Sequence, residues 1–171
     1  MVRLATNSDI PHIMQLIKEV VPLMRASGNL QWDDVYPNPQ VFEQDIKDGQ
    51  LWVAELDNQI AGVTATTTEQ YPEYAQAGMD INEEAIVTHR LAVSPRFQGR
   101  GIARALMQQA EEVAQQRGIP LLRVDTNSQN HATQKLFPKM GYEYKGEITL
   151  QFRPGLKFVC FEKRLPTQNI N

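Results

Sequence analysis

A single cysteine, Cys160, stands in the 171 residues. One thiol cannot staple the fold internally, so the disulfide-framed secreted class is excluded and a reducing, cytoplasmic setting is expected. Cys160 lies in KFVCFEK, a strand-like run where a buried structural thiol is the expected role. Long apolar runs are missing too. No stretch approaches the roughly 20 apolar residues needed to cross a bilayer, and MVRLATNSDI lacks the apolar core of a secretory signal, so a soluble chain with no membrane partner is expected. Positive charge is not in excess: 17 Lys and Arg stand against 20 Asp and Glu, a formal net charge of -3, which offers no general attraction to nucleic acid. There are no internal repeats and no low-complexity tracts.

What is present suffices for one globular domain. Hydrophobic residues make up 42% of the chain and charged ones 22%, enough apolar mass to offset chain entropy. The length fits a single domain over 1–171 with a core at about 3–164. Arg3 to Ala5 reads as a short strand. Ser8 or Asp9 then caps a helix to about Met24, with Ile10, Ile13, Ile17 and Val20 on one stripe. The segment ASGNLQWDDVYPNPQ reads as an ordered loop, followed by a short helix over Val41 to Lys47. Leu51–Leu56 and Ile60–Thr68, separated by Asp57-Asn58-Gln59, make a hairpin. The polar stretch from Glu69 to Glu84 is long enough for a functional loop or lid and yields no element from its pattern.

Strand Ala85 to Val93, helix Gly101 to Arg117 and strand Leu121 to Asp125 follow one another, an order that makes a parallel crossover. A helix over Asn130 to Met140 ends at Gly141. Tyr144–Leu150 and Leu156–Lys163 then pair antiparallel around Arg153-Pro154-Gly155.

Chemistry concentrates at Arg96-Phe97-Gln98-Gly99-Arg100-Gly101. Two glycines allow close backbone approach, and the helix beginning there aims unpaired N–H groups and its positive dipole end outward. That suits an anion, although a glycine turn before a helix accounts for a lone GxG equally well. No Gly-x4-Gly-Lys-Ser/Thr string occurs, and the third small residue of a dinucleotide fingerprint is replaced by Arg104.

The loop resembles the Arg/Gln-x-x-Gly-x-Gly/Ala motif of the GCN5-related N-acetyltransferases, met by Arg96, Gly99 and Gly101 and flanked by HRLAVSP and IARALM. Asn130 to Tyr142, NHATQKLFPKMGY, is similar to a second family signature, Asn-x-x-Ala-x-x-Leu-Tyr-x-x-x-Gly-Phe, with its alanine displaced. The resemblance implies an α/β domain: a mixed, twisted sheet of about seven strands, about four flanking helices, and two splayed parallel strands forming an acyl-CoA wedge. It also implies acetyl-CoA as co-substrate and no metal. Leu91, Ala92 and Val93 would meet the pantetheine amides. Gln98, Gly99, Arg100, Gly101, Ile102, Ala103 and Arg104 would hold the pyrophosphate, with Arg96 as the motif's first residue. Asn130 would touch the pantetheine arm or act only as an N-cap, and Phe137 takes the place where the family often has a proton-donating tyrosine.

Acetyl transfer to an amine needs a neutral nitrogen, a polarised carbonyl and a proton for the departing thiolate, so direct attack needs no covalent intermediate on Cys160. With Phe137 unable to donate, water, Tyr142, Tyr144 or another side chain must serve, or the thiolate leaves unaided. His89 is the first candidate base, because alternation would put it on one face with Leu91 and Val93; it also reads as an ordinary hydrogen-bonded strand histidine. Glu84 is the runner-up. His12 and His131 read as helix-surface residues. Trp32, Tyr36 and Tyr71 are acceptor-site candidates on loops, or local core plugs, and Tyr74 stands with them. The function expected is acetyl transfer to the amine of a small molecule or peptide. The alternative is an acyl-CoA-binding sensor without transfer, which Phe137 motivates. Homodimers are common in the family, and Leu156–Lys163 is expected to offer an exposed edge for one.

Overall fold

The computed structural model describes residues 1–166, so the last five residues of the expected 1–171 domain lie outside the described residues. Its elements are β1 (Val2–Leu4), α1 (Ile10–Ala26), α2 (Pro39–Lys47), β2 (Leu51–Leu56), β3 (Gln59–Thr67), β4 (Ile86–Val93), α3 (Ile102–Arg117), β5 (Leu121–Asn127), α4 (His131–Lys139), β6 (Glu143–Ile148) and β7 (Phe158–Arg164), with short 3-10 helices at Asn7–Asp9, Pro72–Ala77 and Pro95–Phe97. The strands hydrogen-bond in the order β1-β2-β3-β4-β5-β7-β6. This is a seven-stranded mixed sheet, with β4 parallel to β5 and antiparallel pairs at both ends. None of the helices among the described residues is long and apolar enough to cross a membrane. The chain divides into two compact units, Met1–Thr67 with His89–Gln109, and Thr68–Thr88 with the segment from Ala110 onward.

In the first unit, α1 buries Ile13, Leu16, Ile17, Val20 and Val21, spacings of three and four that put one stripe on Phe42, Leu51, Val53, Val63 and Ala65. Asp9 precedes the helix and accepts from Thr6 N at 2.7 Å. The Arg3 guanidinium, at 2.8 and 2.9 Å, holds the Asp9 carboxyl down at about 2. The helix α2 begins at Pro39, two residues before the expected Val41, because Asn38 caps it by accepting from Val41 N and proline suits the first turn. The hairpin turn has two residues instead of three. Asp57 and Asn58 both take positive φ, 53° and 59°, and Gln59 joins the ladder opposite Leu56.

In the second unit, β7 pairs along its length with β5, Leu121↔Arg164 to Asn127↔Phe158, and on its other side with β6. The expected exposed edge at Leu156–Lys163 is therefore corrected: both backbone edges of β7 are occupied, so that strand offers no free edge to a second copy. The polar stretch Glu69–Glu84 is an ordered strap around the Pro72–Ala77 helix. Arg123 on β5, 2% exposed, donates to Gln70 Oε1 at 2.5 Å and Asp80 O at 2.8 Å while pairing with Glu162 at 2.9 Å. Further ties run from Thr149 N to Gln76 and from Arg164 to Glu83. Tyr74, Met79, Ala85, Val87, Leu121, Phe158 and Cys160 form the core beneath it.

Candidate active site

The loop after β4 is anchored and then left open. Ser94 is buried and its Oγ accepts from Arg96 N, while Phe97 packs among Ala54, Ala61, Ile102 and Leu106. Gln98 through Gly101 are exposed. Gly99 and Gly101 both have φ +76°, and nothing lies within 4 Å of a Cβ built on either. Backbone conformation, not crowding, is what requires glycine there. The first bond into α3 runs from Ala105 N to Gly101 O at 3.0 Å; in an α-helix the amides ahead of it, Ile102 to Arg104, have no intrahelical partner. The start of α3 is drawn close to β3 by Gly62, where a Cβ would stand 2.5 Å from Ile102 Cγ2 and 3.1 Å from Leu106 Cδ1.

The expected cofactor residues of this unit are thus contiguous. Leu91 and Val93 are half-buried, Ala92 is buried, Ala103 is half-buried, and Arg100 and Arg104 are exposed. Arg96 is turned to other partners, donating to Gln59 Oε1 at 2.9 Å and lying 3.7 Å from Glu19. Gln98 Nε2 reaches Val93 O at 3.4 Å. Trp32 is buried in the α1 core, and the Tyr36 hydroxyl accepts from Arg90 Nη1 at 3.4 Å.

The alternation argument for His89 does not survive. Arg90, between His89 and Leu91, has φ +55°, a left-handed residue that breaks the two-residue period of a strand, so His89 cannot be assigned to the face of Leu91 by counting. His89 is buried, and its carbonyl accepts from Thr64 Oγ1 at 3.2 Å. Arg90 is clamped by Asp45 through two bonds, Nε to Oδ2 at 2.7 Å and Nη2 to Oδ1 at 2.6 Å. Burial opposes the charge of Arg90, yet the Asp45 bonds and the neighbouring Tyr36 raise its pKa further.

In the second unit, Asn130 caps α4 by accepting from Thr133 N at 3.2 Å, and Thr133 Oγ1 bonds Thr126 Oγ1 of β5. Phe137 is 1% exposed and packs on Tyr142 and Phe161. The Tyr142 hydroxyl is buried without a partner, and burial, with Glu111 adding to it, pushes its pKa upward. Tyr144 is exposed, as is Glu84. Burial, then the charge of Asp125, raises the Cys160 thiol, as befits an unreactive core cysteine. Tyr71 packs edge-on against Tyr74 and lies tilted against Phe152.

One group went unread in the sequence. Tyr74 Oη donates to Asp125 Oδ1 at 2.5 Å. Burial raises the Asp125 carboxyl to about 6, with the Tyr74 bond pulling the other way. The Tyr74 phenol is raised well above its usual range, chiefly by burial and then by Asp125. The signal was an aspartate inside the apolar strand LLRVDTN. No group of three or more His, Cys, Asp or Glu suited to a metal occurs among the described residues.

The Acetyltransferase (GNAT) family model matches residues 17–142, well over half of the chain. The chain belongs to this family. The uncharacterised N-acetyltransferase YesJ of Bacillus subtilis is 28% identical over 146 residues, 83% of this chain and 81% of YesJ. The chain spans 42% of N-acetyltransferase 8F1 and 34% of N-acetylaspartate synthetase, both of Rattus norvegicus. Among solved structures, a GNAT-family acetyltransferase of Streptococcus agalactiae superposes with a TM-score of 0.82 at 29% identity, covering 98% of this chain and 96% of that one. The structure of yncA from Salmonella typhimurium with its cofactor acetyl-CoA has a TM-score of 0.71 at 16% identity, covering 100% and 96%, and at that identity shows the common fold. The GNAT chain thus carries both expected motifs within the matched span.

Proposed function

We propose that this GNAT protein, a single catalytic domain, transfers an acetyl group from acetyl-CoA to an amine by direct attack. The observation that carries the reading is the Gln98–Gly101 turn, exposed and with two left-handed glycines, which leads into α3, whose first amides have no helical partners. A diphosphate fits such a turn: amides and helix dipole stabilise its charge, and Arg100 and Arg104 add cations. Leu91, Ala92 and Val93 offer backbone groups for the pantetheine arm. Asn130, the first residue of the second motif, caps α4 with its side chain. The relative solved with acetyl-CoA supports this choice of co-substrate.

Acetyl-CoA supplies an activated thioester. The chain's task is to bind and orient it, to receive a neutral amine and to move protons. His89 stands as the base, with Glu84 the exposed second candidate. Neither Phe137, which has no proton to give, nor Tyr142, whose raised phenol is a poor acid, serves the thiolate. Water, the exposed Tyr144 or the proton on the attacking nitrogen then supplies its proton as the C–S bond breaks.

Isothermal titration with acetyl-CoA tests the reading. Saturable binding is expected, weakened at least tenfold in the G99A/G101A double variant, since each alanine is forced into a conformation that costs L-residues about 1 to 2 kcal/mol. No heat and no thermal protection by acetyl-CoA would end it. Thiol release across a panel of amines separates transfer from the sensor reading: turnover with any acceptor eliminates the sensor.

A further inference from the structure

Glycines stand around the start of α3 for opposite reasons. Gly99 and Gly101 have a left-handed backbone and open space where a Cβ would be. Gly62, inside β3, has a φ outside the left-handed range, yet a Cβ there would stand 2.5 Å from Ile102 Cγ2, 3.1 Å from Leu106 Cδ1 and 3.2 Å from Ala92 O. Space, not conformation, requires glycine at this position. A glycine inside a strand gives up a packed side chain and marks a close approach by something else.

The three opposing atoms do not give way equally. Leu106 Cδ1 ends a flexible side chain. Ile102 Cγ2 sits on the Cβ of the first residue of α3, and a β-branched side chain in a helix is held to essentially one χ1 rotamer, so that methyl moves only if the helix moves. Ala92 O is backbone of β4, between Leu91 and Val93. Gly62 therefore meets both halves of the proposed cofactor site, the amides that open α3 and the strand offered to the pantetheine arm. A bulge adjoins it. The register between β2 and β3 passes from Ala54↔Gly62 to Glu55↔Ile60, which leaves Ala61 as the extra residue, and Ala61 O accepts from Ser94 N at 2.8 Å, at the root of the loop. Bulges bend a strand and re-aim its groups; this one ties the end of β4 to β3 beside the glycine.

We infer that Gly62 is a positioning residue for acetyl-CoA: its missing side chain sets how far the first turn of α3 stands from Leu91–Val93, and so whether one ligand can engage both. The inference rests on the acetyltransferase reading, because acetyl-CoA is the ligand that would span the two. A methyl group at position 62 would push the start of α3 outward, and misplacing a positioned group by about 1 Å is enough to cost about a hundredfold.

The test is isothermal titration of acetyl-CoA into the full chain and its variants, with urea unfolding of the same samples. G62A should weaken binding about tenfold or more. I102A deletes the opposing methyl and keeps the backbone N–H at that position, so G62A/I102A should bind within about threefold of I102A, a non-additivity that locates the effect in this one contact. L106A empties a buried site and should lower the urea midpoint further than G62A does, while its affinity stays within about twofold of the wild type. I102F crowds the same gap from the helix side and takes the place of G62A should that variant not fold. Equal binding by G62A and the wild type, no recovery in G62A/I102A, or a loss in L106A as large as in G62A overturns the inference. Failure of the wild type to bind acetyl-CoA removes the acetyltransferase reading and this inference with it, whereas wild-type binding that G62A leaves unchanged removes the role of Gly62 alone.

Discussion

Two carboxylates, one in each unit, meet opposite electrostatic surroundings. Asp45 closes α2 and is gripped by Arg90 in a buried, bidentate pair, the side chains 4% and 11% exposed. It also accepts from Gln50 Nε2 at 3.0 Å. Asp125 has a phenol where Asp45 has a guanidinium. The first arrangement is complete and holds a backbone shape, since the residue it clamps sits at φ +55° in a strand. The second is incomplete and has a carboxyl raised to about 6 by burial. The closed pair belongs to architecture, whereas the Asp125 carboxyl, with no cation beside it, is left to titrate.

Breaking the closed pair should have the largest effect. D45A strands a buried guanidinium, and removing one member of a buried pair costs about 3 to 5 kcal/mol. Urea unfolding should show that loss. D45A/R90G should recover part of it, because glycine accepts the positive φ without strain and leaves no orphaned charge. A double variant as unstable as D45A would mean that Arg90 contributes through packing alone.

The half-built pair should respond to pH instead. An unfolded Asp125 releases its proton near 3.8, and the folded one keeps it to about 6. Between those values the folded state holds more protons, so this group's contribution to stability falls as pH rises from about 4 and is fully lost above about 6. Asp9 has the opposite sign: its carboxyl lies at about 2 when folded, so its contribution is present above about 4 and is lost as pH falls toward 2. D125N should therefore match or exceed the wild type at pH 7, by about 1 to 2 kcal/mol after allowance for partial exposure. That advantage should shrink toward pH 4. Denaturation midpoints across pH 4 to 7.5 measure it, and a constant difference would show that Asp125 does not titrate in this range.

The closed pair and the half-built one were equally invisible in the sequence. Elements with a repeating signal were legible: the α1 stripe, the hairpin, the β4-α3-β5 crossover and the Arg96–Gly101 loop each carry a period or a spacing in consecutive residues. Asp45 and Arg90 are 45 positions apart and Tyr74 and Asp125 are 51 apart, so no local pattern joins them. Strand alternation failed at His89 for a related reason, since a left-handed Arg90 is held by a partner from α2. The Leu156–Lys163 edge was misjudged because local pairing with the preceding strand says nothing about which strand takes the other side; β5 does.

The comparison sharpens to a single hydroxyl when the two buried tyrosines of the second unit are set together. Tyr74 donates to a carboxylate, and Tyr142 donates to nothing among the described residues. Hydrogen bonds to charged groups contribute about 1.5 to 3 kcal/mol, and a buried polar atom without a partner costs about 1 to 3 kcal/mol. Y74F deletes the bond and leaves the Asp125 carboxylate with one partner fewer, so it should destabilise by about 2 kcal/mol at pH 7 and less at pH 4, where the acid is largely protonated in the folded state. Y142F deletes an oxygen that was desolvated for no return, while its ring keeps its packing on Phe137. It should be neutral or stabilising by up to about 1 kcal/mol, the smallest effect of the set. If Y142F were instead the costlier change, its hydroxyl would have to meet a bound water, and the contrast between the two phenols would disappear.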